Sequence, residues 1–210
     1  MNSNLDKIRN FLIQSLRYSG EIALFANYFT RIEENFAKYS IEDKLEDFLL
    51  SYLTIYLSND KLNLEDLYVS FKTFYDLTAK FKSNDNILKH IYRYSTYYLK
   101  LTTAEFSDVD IKNLVQKINK LEATDTYSYL MEILEDFEFS HINKNTLLDV
   151  FETVVAYVAE RQFNRKKALP FAIMRVELNK MLAMDDYIPN LNYDDLTDNT
   201  KNVELQSVVV

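Results

Sequence analysis

The sequence predicts an all-α fold, an irregular multi-helix bundle of about eight to nine helices built from αα-hairpins. Three observations carry that expectation. Apolar residues recur at three- and four-residue spacing between the breaks, the pattern of helices with one buried stripe. Glycine occurs once, at Gly20, and proline twice, at Pro170 and Pro189, so the usual residues of tight sheet turns are scarce. Asparagine is plentiful but clusters at a few widely spaced polar breaks, which leaves long periodic runs.

A first helix is expected from Leu5 to about Tyr18, with Ile8, Phe11, Leu12 and Leu16 on one face, Asn4 as cap and Ser19-Gly20 as stop. A second covers about Glu21 to Lys38, striped by Ile22, Phe25, Phe29, Ile32 and Phe36. Ser40, three residues before Asp43, is expected to cap a third that reaches Leu57 and is broken by Asn59-Asp60. Asn63 caps a fourth with Leu64, Leu67, Phe71 and Phe74 on its face. After a break at Ser83-Asn84-Asp85-Asn86, a fifth runs from Ile87 to about Leu101 and carries Tyr92, Tyr94, Tyr97 and Tyr98.

Further helices are expected near Asp108–Leu121, with Val109, Leu114, Ile118 and Leu121, and over about Thr126–Phe137. A longer one starts at Asn143 or Asn145 and ends near Phe163. The last, near Leu169–Met184, begins with Pro170, a residue tolerated in a first helical turn. Leu62-Asn63, Leu67 and Phe71 recur as Ile142-Asn143, Leu147 and Phe151 at an offset of 80, which reads as two similar αα-hairpins rather than a true repeat. Residues 1–184 are read as one helical domain and 185–210 as an acidic tail. Val208-Val209-Val210 would suit a strand-like or carboxylate-presenting end, although an arbitrary boundary of the stretch is the simpler reading.

Composition narrows the function classes. Cysteine is absent, which excludes disulfides and thiolate metal sites and fits a reducing cytoplasm. The N-terminus lacks the apolar core and small-residue cleavage site of a signal peptide, and no apolar run approaches a membrane span, so no membrane partner is expected. The formal net charge is -8, and residues 185–210 contribute six acids against one base. A mildly acidic body binds nucleic acid only weakly, or within a larger assembly, because phosphate contact needs a basic footprint.

A single glycine cannot build a G-x-G-x-x-G loop, a P-loop or a G-x-S-x-G elbow. His90 and His141 are the only histidines. Glu138-Phe139-Ser140-His141 has Glu-x-x-His spacing, but a di-iron bundle needs a second copy and two more glutamates, so a polar helix end is the favoured reading. The adjacent acids Glu33-Glu34, Glu42-Asp43 and Glu135-Asp136 read as solvated helix faces. No catalytic, cofactor-binding or metal residue, and no cofactor, is expected.

The sharpest cluster is basic: Arg161, Arg165, Lys166, Lys167 and, nearby, Arg175. Arg161 and Arg165 stand one turn apart, with Phe163 available to stack, so these residues are candidates for phosphate or partner contact. The blander readings are favourable charge at a helix C-terminus and pairing with the acidic tail. The tyrosines and phenylalanines fall mostly on apolar stripes and read as core, with the surplus in the fifth helix suited to a half-buried surface.

The stretch Leu45 to Tyr75, LEDFLLSYLTIYLSNDKLNLEDLYVSFKTFY, joins Asp6-Lys7-Ile8-Arg9-Asn10-Phe11-Leu12, Tyr28-Phe29, Ile32-Glu33, Thr126-Tyr127-Ser128-Tyr129-Leu130 and Leu147 to Tyr157 in order. Together they resemble the helical region of a bacterial family built around a ParB-like nuclease domain with a DGQQR motif, which includes the GmrS/GmrD modification-dependent restriction systems. The resemblance spans about Asp6 to Met184. The DGQQR motif and any His-Asn-His nuclease signature are missing, and only Arg161 stands where the family often has paired arginines.

The resemblance therefore implies a non-catalytic scaffold or linker. It would transmit between an N-terminal nucleotide-using ParB-like domain and an effector nuclease, both outside this chain. Its partners would be those domains or a partner subunit, a second copy of the chain among them. The alternative is a free-standing acidic helical interaction protein, a regulator or inhibitor that binds a protein partner. A third reading is a small-ligand site between helices that gathers Glu138 and His141.

Overall fold

At several helix starts of this chain a Ser, Asn or Asp side chain meets the exposed N–H groups of the first turn and fixes where the helix begins. The computed structural model describes residues 3–57, 62–167 and 169–182. Among them the chain forms nine α-helices and no strand, an all-α multi-helix bundle. These are α1 (Asn4–Tyr18), α2 (Arg31–Lys38), α3 (Leu45–Leu57), α4 (Leu67–Thr78), α5 (Asn84–Thr103), α6 (Val109–Lys120), α7 (Tyr127–Glu138), α8 (Lys144–Phe163) and α9 (Phe171–Met181). Where the sequence reads one helical domain, the described residues fall into two compact units, 3–96 and 97–182, with α5 contributing to each. The expected break at Asn59-Asp60, the acidic segment 185–210 and the Val208-Val209-Val210 end lie outside the described residues. No helix among the described residues is long and apolar enough to cross a membrane.

In the first unit Ile8, Leu12 and Leu16 of α1 are fully buried, as are Phe29, Ile32 and Phe36. Phe48, Leu49 and Tyr52 of α3 and Leu67 and Phe71 of α4 complete that core. The cap of α1 is Ser3, not Asn4: Ser3 Oγ accepts from Asp6 N at 3.1 Å and Asp6 Oδ2 accepts from Ser3 N at 3.2 Å. This reciprocal box satisfies two terminal N–H groups at once, which a lone Asn4 cannot do. The second expected helix is not uniform. A π-helical stretch, Phe25–Thr30, precedes α2, and the Phe25 and Phe29 rings stack at 5.4 Å. Ile22, Leu64 and Val109, all expected on buried stripes, are exposed, because each sits in the turn before a helix or at its first residue. The Ser83-Asn84-Asp85-Asn86 break is the start of α5, whose Ser83 Oγ accepts from Asn86 N at 3.3 Å. Tyr94, Tyr97 and Tyr98 are buried core rather than a half-buried surface.

Six helix ends close in the same way. The backbone turns left-handed one or two residues past the last helical residue, at Gly20 (φ 78), Ser40 (56), Ala104 (52), Glu122 (53), Ser140 (62) and Arg165 (52). After α2, Ser40 N donates to Ala37 O at 2.9 Å and Ile41 N to Phe36 O at 3.1 Å, the paired bonds of a Schellman stop. Ser40 therefore ends α2 instead of capping α3, which enters through a short 3₁₀ turn, Glu42–Lys44. Five of the six left-handed residues are not glycine, which is how a chain with one glycine still turns sharply.

The two units share a local plan. In each, a helix ends at a left-handed residue (Ser40, Glu122), a 3₁₀ turn follows (Glu42–Lys44, Thr124–Thr126), and the next helix starts at Leu45 or Tyr127, an offset of 82 throughout. Buried residues correspond at that offset: Ile32 with Leu114, Phe36 with Ile118, Phe48 with Leu130, Leu49 with Met131. The Asn63 and Asn143 recurrence is also structural. Asn63 Oδ1 accepts from Asp66 N at 3.1 Å and Asn143 Oδ1 from Thr146 N at 3.0 Å, and Leu67, Phe71, Leu147 and Phe151 are fully buried. The recurrence thus belongs to matched helix–turn–helix segments longer than the two hairpins read from the sequence.

Candidate functional site

All five predicted site residues lie in the second unit, on or beside the junction of α8 and α9, and the structure divides them. Arg161, near the end of α8, is largely buried. Its guanidinium sits 5.3 Å from the Tyr157 ring centre, Nη1 lies 3.5 Å from Glu177 Oε2, and Nη2 donates to Lys167 O. Lys166 Nζ lies 2.8 Å from Glu160 Oε1. Arg175 Nη1 donates to Glu132 Oε1 at 3.3 Å, with its guanidinium 5.5 Å from the Phe171 ring centre. Three of the five cations are therefore spent on acids of the fold. Arg165 and Lys167 are exposed and have no ion pair among the described residues. Phe163 does not stack on either arginine and is 89% exposed.

Arg161 and Lys166 line a cleft of about 320 Å³ against the α6–α7 turn, Glu122 to Asp125. The Tyr157 hydroxyl on its wall is buried, and burial, with Glu177 adding to it, pushes that phenol up to about 12. Part of Asp125 faces solvent, yet desolvation between the walls raises its carboxyl above the usual range, against its backbone N–H partners and the Arg161 charge. Acids outnumber uncommitted cations around this cleft, so it is a poor phosphate cradle.

The sequence reading missed the acids inside α7. Glu132, Glu135 and Asp136 are 1%, 2% and 1% exposed, so Glu135-Asp136 is not a solvated face. Desolvation pushes Glu132 up to about 8, with Arg175 opposing, and its Oε2 makes no hydrogen bond among the described residues. The signal for this burial was available in α7 itself, where Tyr, Leu, Met and Ile occupy every side of the helix. His141 Nδ1 lies 3.2 Å from Asp136 Oδ1, while Glu138 faces a different cleft, so the Glu-x-x-His pair is not brought together. No group of three or more metal-ligating side chains occurs among the described residues.

α9 is held by polar latches. Besides Arg175–Glu132 and Glu177–Arg161, Asn179 Oδ1 accepts from the buried Tyr129 hydroxyl at 3.1 Å. The helix buries Met174 and Leu178, whereas Ile173 and Val176 are 48% and 51% exposed on its outer side and Met181, its last residue, is 54% exposed. Ile173 and Val176, three residues apart, share one exposed apolar face of the helix. Comparisons with protein families, with characterised proteins and with solved structures find no match to this chain.

Proposed function

We propose that this chain is a cytoplasmic, non-catalytic helical interaction region of a modification-dependent restriction or phage-defence protein similar to the GmrS/GmrD systems. It scaffolds a ParB-like domain and an effector nuclease rather than performing their chemistry. The observation that carries the reading is the outer face of α9, where Ile173 and Val176 stand exposed on a helix that buries Met174 and Leu178 and is latched by Arg175 to Glu132 and by Asn179 to Tyr129. Apolar surface left outward on a helix is what a docking partner covers, and it contributes about 25 cal/mol for each Å² removed from water. The exposed cations Arg165 and Lys167, in the connection that leads into α9, suit an acidic rim on the partner.

The test is an assay of the purified chain for nuclease and nucleotide hydrolysis, on plain and glucosylated DNA with magnesium and nucleotides. The expected result is no turnover. Activity that survives purification and is abolished by a point change in this chain contradicts the proposal.

A further inference from the structure

The second unit holds a larger cleft that the interaction reading leaves unused. It measures about 580 Å³, within the roughly 300–1,000 Å³ of small-molecule sites. Its floor is apolar: Ile111, Leu134 and Leu147 are buried, and Phe106 and Phe137 stand half-buried beside them.

The charges on its lining sort themselves. Lys144 Nζ lies 2.5 Å from Asp108 Oδ2, and Asp108 Oδ1 also accepts from the N–H groups of Asp110 at 3.0 Å and Ile111 at 3.2 Å, so this pair is committed to the fold. Glu105 also interacts within the fold. Two lining charges have no opposite partner among the described residues, Lys100 and Glu138. The Lys100 ammonium rests 5.9 Å from the Tyr97 ring centre, a weak tether that a carboxylate can outcompete. α7 ends at Glu138, where the helix pole also favours a bound cation.

We propose that this cleft binds a free apolar amino acid, its carboxylate on Lys100, its ammonium on Glu138 and its side chain between Phe106 and Phe137. A simple carboxylate would answer Lys100 and face Glu138 unpaired, and a simple amine would do the reverse. A zwitterion with an apolar side chain matches both charges and the floor.

Calorimetric titration of the whole chain tests this with L-phenylalanine, 3-phenylpropionate and phenethylamine. L-Phenylalanine is expected to bind saturably, and each singly charged analogue about tenfold or more weaker, the worth of one charge-assisted contact. Lys100→Met should weaken phenylalanine and phenylpropionate while sparing phenethylamine. Glu138→Gln should weaken phenylalanine and phenethylamine while sparing phenylpropionate. Both side chains are exposed, so the helical circular dichroism should be unchanged. A Val176→Asp change on α9 should leave the titration unaltered, which separates this site from the docking face. No saturable heat up to about 10 mM ligand, or equal affinity for all three compounds, overturns the proposal, as does either variant leaving every affinity unchanged.

Discussion

Replacing the exposed left-handed residues with glycine should stabilise this protein, although nearly every textural feature of a helical chain argues against adding glycine. Ser40, Glu122 and Ser140 have φ of 56, 53 and 62 and are exposed, so their side chains add little packing. A Cβ in the left-handed region costs about 1–2 kcal/mol. Glycine gives back about 0.4–1 kcal/mol through the greater freedom of the unfolded chain. The difference is a gain of about 0.5–1 kcal/mol at each site. Glu122→Gly and Ser140→Gly together should therefore stabilise the second unit by about 1–2 kcal/mol, and each kcal/mol raises the melting temperature of a unit this size by about 4–8 °C. Thermal unfolding followed by circular dichroism reads the shift, with Lys112→Gly inside α6 as the control that should cost about 1 kcal/mol. If the Ser140→Gly and Lys112→Gly variants melt together below the wild type, the left-handed stops are not the strained positions described here.

Three further outcomes follow from buried groups. His90 is enclosed by Tyr52, whose hydroxyl lies 3.0 Å from Nδ1, and by Tyr56 and the stacked Tyr94, and desolvation pulls it down to about 3. The unfolded chain takes up that proton near pH 6.5 and the folded chain does not, so stability of the first unit should fall as pH drops from about 6.5 towards 3, on the order of 4 kcal/mol in all, in denaturant titrations at stepped pH. Glu132 acts in the opposite window. Its raised folded value keeps the proton while the unfolded chain loses it, so stability of the second unit should decline between about 4.5 and 8, and Glu132→Gln should flatten that slope in the same titration. Phe71→Ala and Phe151→Ala, at matching positions of the two units, should each cost about 3–5 kcal/mol by chemical unfolding, since both rings are fully buried.

Local chemistry made much of the fold legible. The Asn63 cap, the Ser19-Gly20 stop and the stripes through Ile8, Leu12, Leu16, Phe29, Ile32 and Phe36 need only near neighbours, and the structure places them as the pattern implies, while of the two candidate starts Asn143 and Asn145 it is Asn143 that caps α8. What was hidden depends on contacts between distant residues or on backbone choices that side chains do not announce. Ser40 looks like a cap and serves as a left-handed stop, because Ser in this region of the backbone leaves no mark in the sequence. The basic cluster was legible as a cluster but not as a site. Glu177 for Arg161 and Glu132 for Arg175 come from other helices, and only the packing of α7, α8 and α9 brings them into range. The same packing buries Glu135 and Asp136, whose adjacency otherwise reads as a wet helix face.

Binding at α9 is the decisive measurement for a docking role. The chain can be titrated with a ParB-like DGQQR-motif domain and with an effector nuclease domain of such a system, each produced as a separate protein. Wild type should then be compared with Val176→Asp and with Ile173→Asp. A saturable complex with at least one of them is expected, weakened about tenfold or more by either substitution on the exposed face. Undiminished binding by both variants, or no complex with either domain at concentrations near 100 times a micromolar dissociation constant, would contradict it.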